Sequence, residues 1–229
     1  MTGMEINATG NAPVARSDSS FITAPFSGKN SFWRYFTGIV GPFLAANLIG
    51  GLPLIAVIMT SALDGSGLPQ KGGMPDFEAM GISLNVGFVL NIIPFLVGLL
   101  AIILLVRPLH NREFGTVVNG GRKIRWGRML FAALVWAAVS ASYLLYALKS
   151  DPGNFRINNT TNSLIILAVL ALTLIPFQAA FEEILFRGYL MQGFAVLARN
   201  RWVPILATSV FFGLMHSLNP EVVQYGFFT

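Results

Sequence analysis

Five long stretches of this chain contain no charged residue, and they restrict its possible folds more than any other feature. A helix needs roughly 20 mostly apolar residues to cross a hydrocarbon core about 30 Å thick. The stretches have about that length or more, and they cover residues 35–63, 79–106, 129–148, 163–181 and 202–220. We therefore expect an all-α protein, a polytopic transmembrane helical bundle with about five spans.

The composition excludes several other classes of protein. Hydrophobic residues make up 54% of the chain and charged residues 11%, whereas an ordinary soluble domain carries about a quarter charged residues. A soluble enzyme, a disordered chain and a fibrous repeat do not fit these values. Because the chain has no cysteine, its chemistry must use carboxylates, His, Ser, Thr or Lys.

The positive charge is concentrated in one loop. Six of the 15 Lys and Arg residues lie between Arg107 and Arg128, which indicates a loop that meets anionic lipid headgroups rather than a surface that binds nucleic acid. Short loops rich in Lys and Arg face the cytoplasm. This rule places the N-terminus, the basic loop and the turn at residues 199–201 in the cytoplasm. We expect an integral protein of a bacterial plasma membrane.

The first residues of the chain differ from the rest. Residues 1–31 are rich in Ser, Asn, Gly, Thr and Ala and show no periodicity, which predicts a disordered cytoplasmic tail. The first apolar run starts too late and is too long for a cleaved signal peptide. The chain therefore divides into this tail and a transmembrane domain at residues 32–229, which carries the motifs described below.

Two adjacent acids and an arginine follow the fourth apolar stretch, in the sequence Phe-Glu-Glu-Ile-Leu-Phe-Arg at residues 181–187. An acid at the centre of a spanning helix costs about 2.5 to 3.5 kcal/mol, so it needs a partner, a water-filled cavity or a function. Glu183 and Arg187 are four positions apart and can pair on one face of a helix. Glu182 points about 100° away from Glu183, outside that pair, and is the better candidate for a general base.

A histidine in the fifth apolar stretch is the second signal. His216 follows Phe212 by four positions. If residues 199–201 form the turn of an antiparallel hairpin, the midpoints of Glu182 and of Glu183 with His216 both fall in that turn. The two acids and the histidine are then expected at the same membrane depth, about 25 Å from the turn along helices that rise 1.5 Å per residue.

The helix that carries the two acids is unusually long. From residue 163 to residue 198 it would measure about 54 Å, too much for one untilted span. We therefore expect a tilt or a break at one of three candidate positions, Pro176, Gly188 or Gly193.

Three polar residues lie outside these motifs. Asn85 and Asn91 are inside the second apolar stretch, where polar side chains commonly hydrogen-bond to a neighbouring helix. We expect such interhelical bonds from both. His110 lies in the basic loop, and the sequence assigns it no function.

The motifs Glu-Glu-x-x-x-Arg at residues 182–187 and Phe-x-x-x-His at residues 212–216 resemble the first two motifs of the CPBP family of CAAX proteases and bacteriocin-processing enzymes, also called ABI. The Asn-Pro at residues 219–220 is similar to that family too. The resemblance covers residues 174–226, while the earlier spans match only in being hydrophobic. Either motif alone is a weak signal, whereas both together in apolar segments are specific.

The resemblance implies a glutamate-dependent intramembrane endopeptidase that cleaves a peptide or protein substrate without a cofactor. It assigns Glu182 and His216 to the activation of water, with Glu183 and Arg187 as supporting residues of the catalytic site. The family also has a later motif, a His and an Asn that stabilise the oxyanion, which this sequence does not contain before it ends at Thr229. We therefore expect a fragment that lacks later spans and is poorly active or inactive by itself, because one lost oxyanion donor costs about 10² to 10³ in rate.

Other interpretations stay open. The acids and Arg187 can form a structural ion cluster at the membrane boundary, where long polar side chains reach water. Glu182 or Glu183 with His216 can ligate zinc, although a catalytic zinc site needs three protein ligands. The chain can also be a non-catalytic scaffold or immunity protein of the same fold, or a small transporter, although no inverted repeat is evident.

Overall fold

The computed structural model describes residues 21–65, 69–71, 74–154, 160–198, 202–217, 219, 222–223 and 226. The predicted cytoplasmic turn at residues 199–201 and the first 20 residues of the predicted tail lie outside the described residues. The described part is helical apart from loops and a small hairpin, in which β1 (Gln70–Lys71) pairs antiparallel with β2 (Met74–Pro75). The expected all-α class is confirmed.

Eight α-helices occur in the described part of the chain. They are α1 (Phe32–Leu44), α2 (Leu52–Leu63), α3 (Leu84–His110), α4 (Gly115–Asn119), α5 (Trp126–Ser150), α6 (Thr161–Glu182), α7 (Met191–Ala198) and α8 (Trp202–His216). Two π-helical segments, Ala45–Gly50 and Glu183–Leu190, lie between α1 and α2 and between α6 and α7. Short 3-10 helices occupy Ala24–Ser27 and Pro152–Asn154.

Three of these helices are long and apolar enough to cross a membrane. They are α3 with 27 residues, α5 with 25, and the continuous helix Thr161–Ala198 with 38, which contains α6, the second π-helical segment and α7. The pair Phe32–Gly50 and Leu52–Leu63 makes a fourth span if it counts as one helix bent by 41°. The described residues therefore hold three to four candidate spans rather than about five, because the fifth stretch forms α8, whose 15 residues fall short of the roughly 20 that a span needs.

The bend in the first span lies where the sequence disfavours a straight helix. Gly50 ends the first piece and Gly51 lies between the two pieces, while Pro53, near the start of the second piece, has no backbone N–H to donate. Gly50 is also buried against α3, and a Cβ at this position would lie 2.6 Å from Cα of Pro94. Glycine is therefore required for this close approach.

The chain divides into two compact units, and its long helices contribute to both. Unit 1 comprises residues 1–40, 102–121 and 182–229, and unit 2 comprises residues 41–101 and 122–181. Unit 1 contains both sequence motifs and a group of buried polar side chains, so the candidate site belongs to it.

The contacts of unit 2 are mainly apolar. Phe95 of α3 and Phe181 of α6 pack edge to face, with ring centroids 6.2 Å apart. Asn85 Nδ2 donates to the carbonyl oxygen of Ser163 at 3.3 Å, which confirms the expected interhelical bond for this residue. Asn91 Nδ2 instead donates to the carbonyl of Gly87, 2.9 Å away in the same helix, because a carbonyl one turn earlier is within reach of an asparagine side chain.

The last part of the predicted tail packs against unit 1. Pro25, in the 3-10 helix Ala24–Ser27, is buried. The backbone N–H of Lys29 donates to the carbonyl of His110 at 2.9 Å. Within the predicted tail, the described residues 21–31 thus make tertiary contacts that their composition does not reveal.

Candidate active site

Glu182 and Glu183 lie where the long helix Thr161–Ala198 changes from α-helical to π-helical geometry. α6 ends at Glu182, and the π-helical segment begins at Glu183 and ends at Leu190. Backbone bonds in a π-helix run from residue i to i+5, and such segments are rare and frequently occur at functional sites. The expected break is thus a change of helix type that includes Gly188, rather than an interruption of the helix.

Glu183 and Arg187 form the ion pair that their spacing predicts. Their side chains are 53% and 52% exposed. The main consequence of this pair is that it orients both side chains.

The helix α8 contacts the π-helical segment through Phe212. The guanidinium carbon of Arg187 lies 5.0 Å from the centroid of the Phe212 ring, a cation–π geometry. Phe186 packs edge to face on the same ring, with centroids 5.3 Å apart. The midpoint of residues 187 and 212 falls between positions 199 and 200, as does that of residues 183 and 216. This contact therefore has the pairing that a hairpin with its turn at residues 199–201 predicts. The pairing is not constant along the two helices, since Phe194 stacks on Phe211 with ring centroids 5.9 Å apart, and the midpoint of these residues falls between positions 202 and 203.

His216 is oriented by its own helix. Its Nδ1 lies 2.8 Å from the carbonyl oxygen of Phe212, and its ring centroid lies 4.3 Å from that of Phe212. A carbonyl oxygen only accepts, so Nδ1 carries the proton of this hydrogen bond. In the neutral imidazole, Nε2 is then the nitrogen that holds the lone pair.

The structure therefore links three of the four predicted site residues through one chain of contacts, from Glu183 to Arg187, Phe212 and His216. Glu182 immediately precedes this chain and is half-buried at the end of α6. The catalytic role of each residue stays a prediction.

The zinc alternative depends on a group of metal-binding side chains. Among the residues that the structure describes, no three His, Asp or Glu side chains lie close enough together to hold a metal ion. Glu182, Glu183 and His216 all belong to the described part, so their placement gives that alternative no support.

A buried polar cluster that sequence reasoning did not predict lies behind the π-helical segment. His110 and Tyr189 are fully buried, and His110 Nε2 lies 2.6 Å from the Tyr189 hydroxyl. His110 Nδ1 lies 2.7 Å from the carbonyl of Lys29, and the Tyr189 hydroxyl donates to the carbonyl of Arg34 at 2.9 Å. Because the carbonyl oxygen of Lys29 only accepts, Nδ1 of His110 carries the proton of that hydrogen bond.

Arg112 and Gln192 form the second half of this buried cluster. Arg112 Nη1 donates to Gln192 Oε1 at 2.7 Å, and Gln192 Nε2 donates to the carbonyls of Thr116 at 2.8 Å and Phe21 at 3.1 Å. Burial lowers the pKa of Arg112. Within the described part of the chain, Nε and Nη2 of Arg112 are buried with no hydrogen-bond partner.

Only a weak sequence signal marks this cluster. Tyr189 and Gln192 are three positions apart and share one face of the helix that follows the two acids. His110 and Arg112 lie in the basic loop, and their partners Tyr189 and Gln192 are 79 and 80 positions away in the sequence. Local spacing in a sequence does not predict contacts between residues so far apart.

Comparison with known proteins finds similarity to a protein family in the C-terminal part of the chain. Residues 161–229 match a protein-family model described as "Type II CAAX prenyl endopeptidase Rce1-like". Over 208 residues, the chain is 29% identical to "Uncharacterized protein YyaK" of Bacillus subtilis (strain 168), and the match covers 89% of this chain and 67% of that relative. No solved structure matches the chain. The resemblance inferred from the two motifs is therefore confirmed as a similarity, in that residues 161–229 are similar to the Rce1-like type II CAAX prenyl endopeptidase family.

Proposed function

We propose that this protein is an intramembrane endopeptidase in which Glu182 and His216 activate a water molecule to hydrolyse a peptide bond. The observation that carries the proposal is the chain of contacts from the Glu183–Arg187 pair across Phe212 to His216. It joins the two motifs that characterise the resemblance, within the segment that matches the endopeptidase family. The proposed site lies in an integral protein of the plasma membrane with a cytoplasmic N-terminus.

The proposed reaction follows from the chemistry of these groups. The Glu182 carboxylate accepts a proton from water while the water oxygen bonds to the substrate carbonyl carbon. The Nε2 lone pair of His216 accepts the second hydrogen bond of that water and orients it. When the C–N bond breaks, Glu182 returns its proton to the leaving amine. Glu183 and Arg187 do not exchange protons, and they hold the π-helical segment against Phe212.

Replacement of the proposed base tests this mechanism. We expect Glu182→Gln to lower the hydrolysis rate by about 10² to 10⁴, the contribution of a positioned general base. The measurement is cleavage of a fluorogenic prenylated CAAX-type peptide by the full chain in liposomes. Glu78→Gln is the matched control, because Glu78 is an exposed glutamate in the loop before α3 and should leave the rate unchanged.

The possible outcomes separate the alternatives. An unchanged rate in Glu182→Gln would contradict the assigned base. Cleavage by the unaltered chain is expected to be slow, and complete absence of cleavage would favour the non-catalytic scaffold. The proposed reaction uses no metal, so cleavage that stops with a chelator and returns with zinc would favour the metal mechanism instead.

A further inference from the structure

The π-helical segment carries different chemistry on its two sides. Glu183 and Arg187 are about half exposed. Tyr189, near the end of the same segment, and Gln192, in the first turn of α7, have no exposed surface. Between these groups, Gly188 is buried against α4, and a Cβ at Gly188 would lie 2.9 Å from the carbonyl oxygen of Val117. The segment is thus attached to other elements of unit 1 by its buried side.

Tyr189 makes the most extensive of these attachments. Its ring packs directly on the backbone of α1 at Gly38, where there is no room for a Cβ. Its ring also packs against Tyr35 at a centroid distance of 5.3 Å. Its hydroxyl contacts His110 Nε2 at 2.6 Å and donates to the carbonyl of Arg34 at 2.9 Å. Tyr189 therefore connects the π-helical segment to α1 and to the end of α3.

Gln192 connects the following turn to two further elements. Its Oε1 accepts from the buried Arg112, and its Nε2 donates to the carbonyls of Thr116 and Phe21. One side-chain amide thus bonds to one nitrogen of a buried guanidinium and to two backbone carbonyls. Buried polar groups without partners are costly, so these bonds allow little rotation of the helix about its axis.

The rotation of this helix about its axis affects the direction of the two acids, because a chain intrinsically prefers α-helical to π-helical geometry. A π-helical segment holds an extra residue in a turn, and it persists only where tertiary contacts determine it. If the segment relaxed to α geometry, residues on its N-terminal side would turn by about 100° relative to those on its C-terminal side. Glu182 precedes the segment and Glu183 is its first residue, whereas Tyr189 lies near its C-terminal end and Gln192 lies beyond that end.

We propose that Tyr189 and Gln192 are positioning residues, which hold the π-helical register of residues 183–190 and so set the direction in which Glu182 and Glu183 project. They act through the helix backbone and do not touch the substrate. Their importance for hydrolysis rests on the proposed function, whereas their control of the register does not.

The absence of cysteine from the chain allows a direct test of the register. The test pair is Phe186→Cys with Phe212→Cys, which replaces two rings in contact at 5.3 Å, one of them inside the π-helical segment. The control pair is Phe194→Cys with Phe211→Cys, which replaces rings stacked at 5.9 Å beyond that segment. Each pair is placed in the full chain, and the rate of reaction with a short bifunctional thiol cross-linker is measured in liposomes.

We expect Tyr189→Phe, which removes only the hydroxyl, to slow cross-linking of the test pair severalfold and to leave the control pair unchanged. Tyr143→Phe is the matched variant, because Tyr143 is a 72% exposed tyrosine of α5, and it should change neither rate. Unchanged cross-linking of both pairs in Tyr189→Phe would overturn the proposal. Equal slowing of both pairs would also overturn it, because the hydroxyl would then support the fold in general rather than the register.

Activity separates this inference from the proposed function. With the CAAX-type peptide, Tyr189→Phe should lower kcat by at least about tenfold with little change in KM, because misplacement of a catalytic group weakens the chemical step. If Tyr189→Phe slowed cross-linking of the test pair but kept the full kcat, the positioning role would be overturned and the proposed endopeptidase function would stand. A chain without any hydrolysis would overturn the proposed function, while the cross-linking result would still decide the register.

Discussion

Phe212 is the residue through which the two motifs meet. Its side chain contacts both Arg187 and His216. In the sequence, Phe212 is an apolar residue one turn before His216, and nothing in that spacing indicates the contact with Arg187. The Glu183–Arg187 pair could be predicted from its spacing, because residues four apart on a helix are neighbours. The contact with Phe212 could not, since it depends on how α8 packs against another helix.

The contribution of that contact can be separated from the ion pair. Arg187→Lys keeps a positive charge for Glu183 but removes the planar guanidinium that lies over the Phe212 ring. We expect the free energy of unfolding to fall by about 0.5–1 kcal/mol, the value of a cation–π contact at an exposed site. Reversible unfolding in mixed detergent micelles measures it, with Arg128→Lys, an exposed arginine at the start of α5, as the control. Equal losses in both variants would show that the ring contact adds nothing.

The second π-helical segment is the element that is least predictable from the sequence. Of the three candidate break points, Pro176, Gly188 and Gly193, only Gly188 lies within the change of geometry. Pro176 lies inside α6 and Gly193 inside α7, and both remain helical. The sequence locates the region because the helix would otherwise be too long, but tertiary contacts decide where an extra residue is accommodated.

We expect substitution by alanine to have opposite effects on stability at two glycines near the candidate site. Gly188→Ala places a Cβ 2.9 Å from the carbonyl oxygen of Val117, and we expect a loss of about 1–3 kcal/mol from this overpacking. Gly213→Ala meets no described atom within 4 Å, and we expect a gain of up to about 1 kcal/mol from the higher helix propensity of alanine. Thermal unfolding midpoints in detergent should therefore shift in opposite directions. Two shifts of the same sign would contradict the packing of the π-helical segment on α4.

At the scale of the whole molecule, hydropathy predicts the spans and charge predicts their orientation. The second and third apolar stretches form the continuous helices α3 and α5, and α3 stays helical through Pro94. Short loops rich in Lys and Arg stay in the cytoplasm, and the loop before α5 carries Arg122, Lys123 and Arg125. The loop before α3 carries Asp76 and Glu78, so it is expected on the opposite side of the membrane.

Single cysteines test this orientation in a chain that has none of its own. In intact cells, a membrane-impermeant maleimide should label Glu78→Cys but not Lys123→Cys, because both positions are exposed and they lie at opposite ends of the intervening span. After the membrane is permeabilised, both variants should react equally, which controls for reactivity. Labelling of Lys123→Cys in intact cells would reverse the proposed orientation.

The sequence by itself determined the class of this protein, its main helices, the Glu183–Arg187 pair and the family resemblance. These features depend on composition and on spacings within one or two helical turns, which a single segment contains. Only the tertiary structure decided the π-helical register, the meeting of Arg187 with Phe212, and the burial of His110 and Tyr189. Those two residues are 79 positions apart, and their contact exists because several elements of unit 1 pack together, which no local pattern encodes.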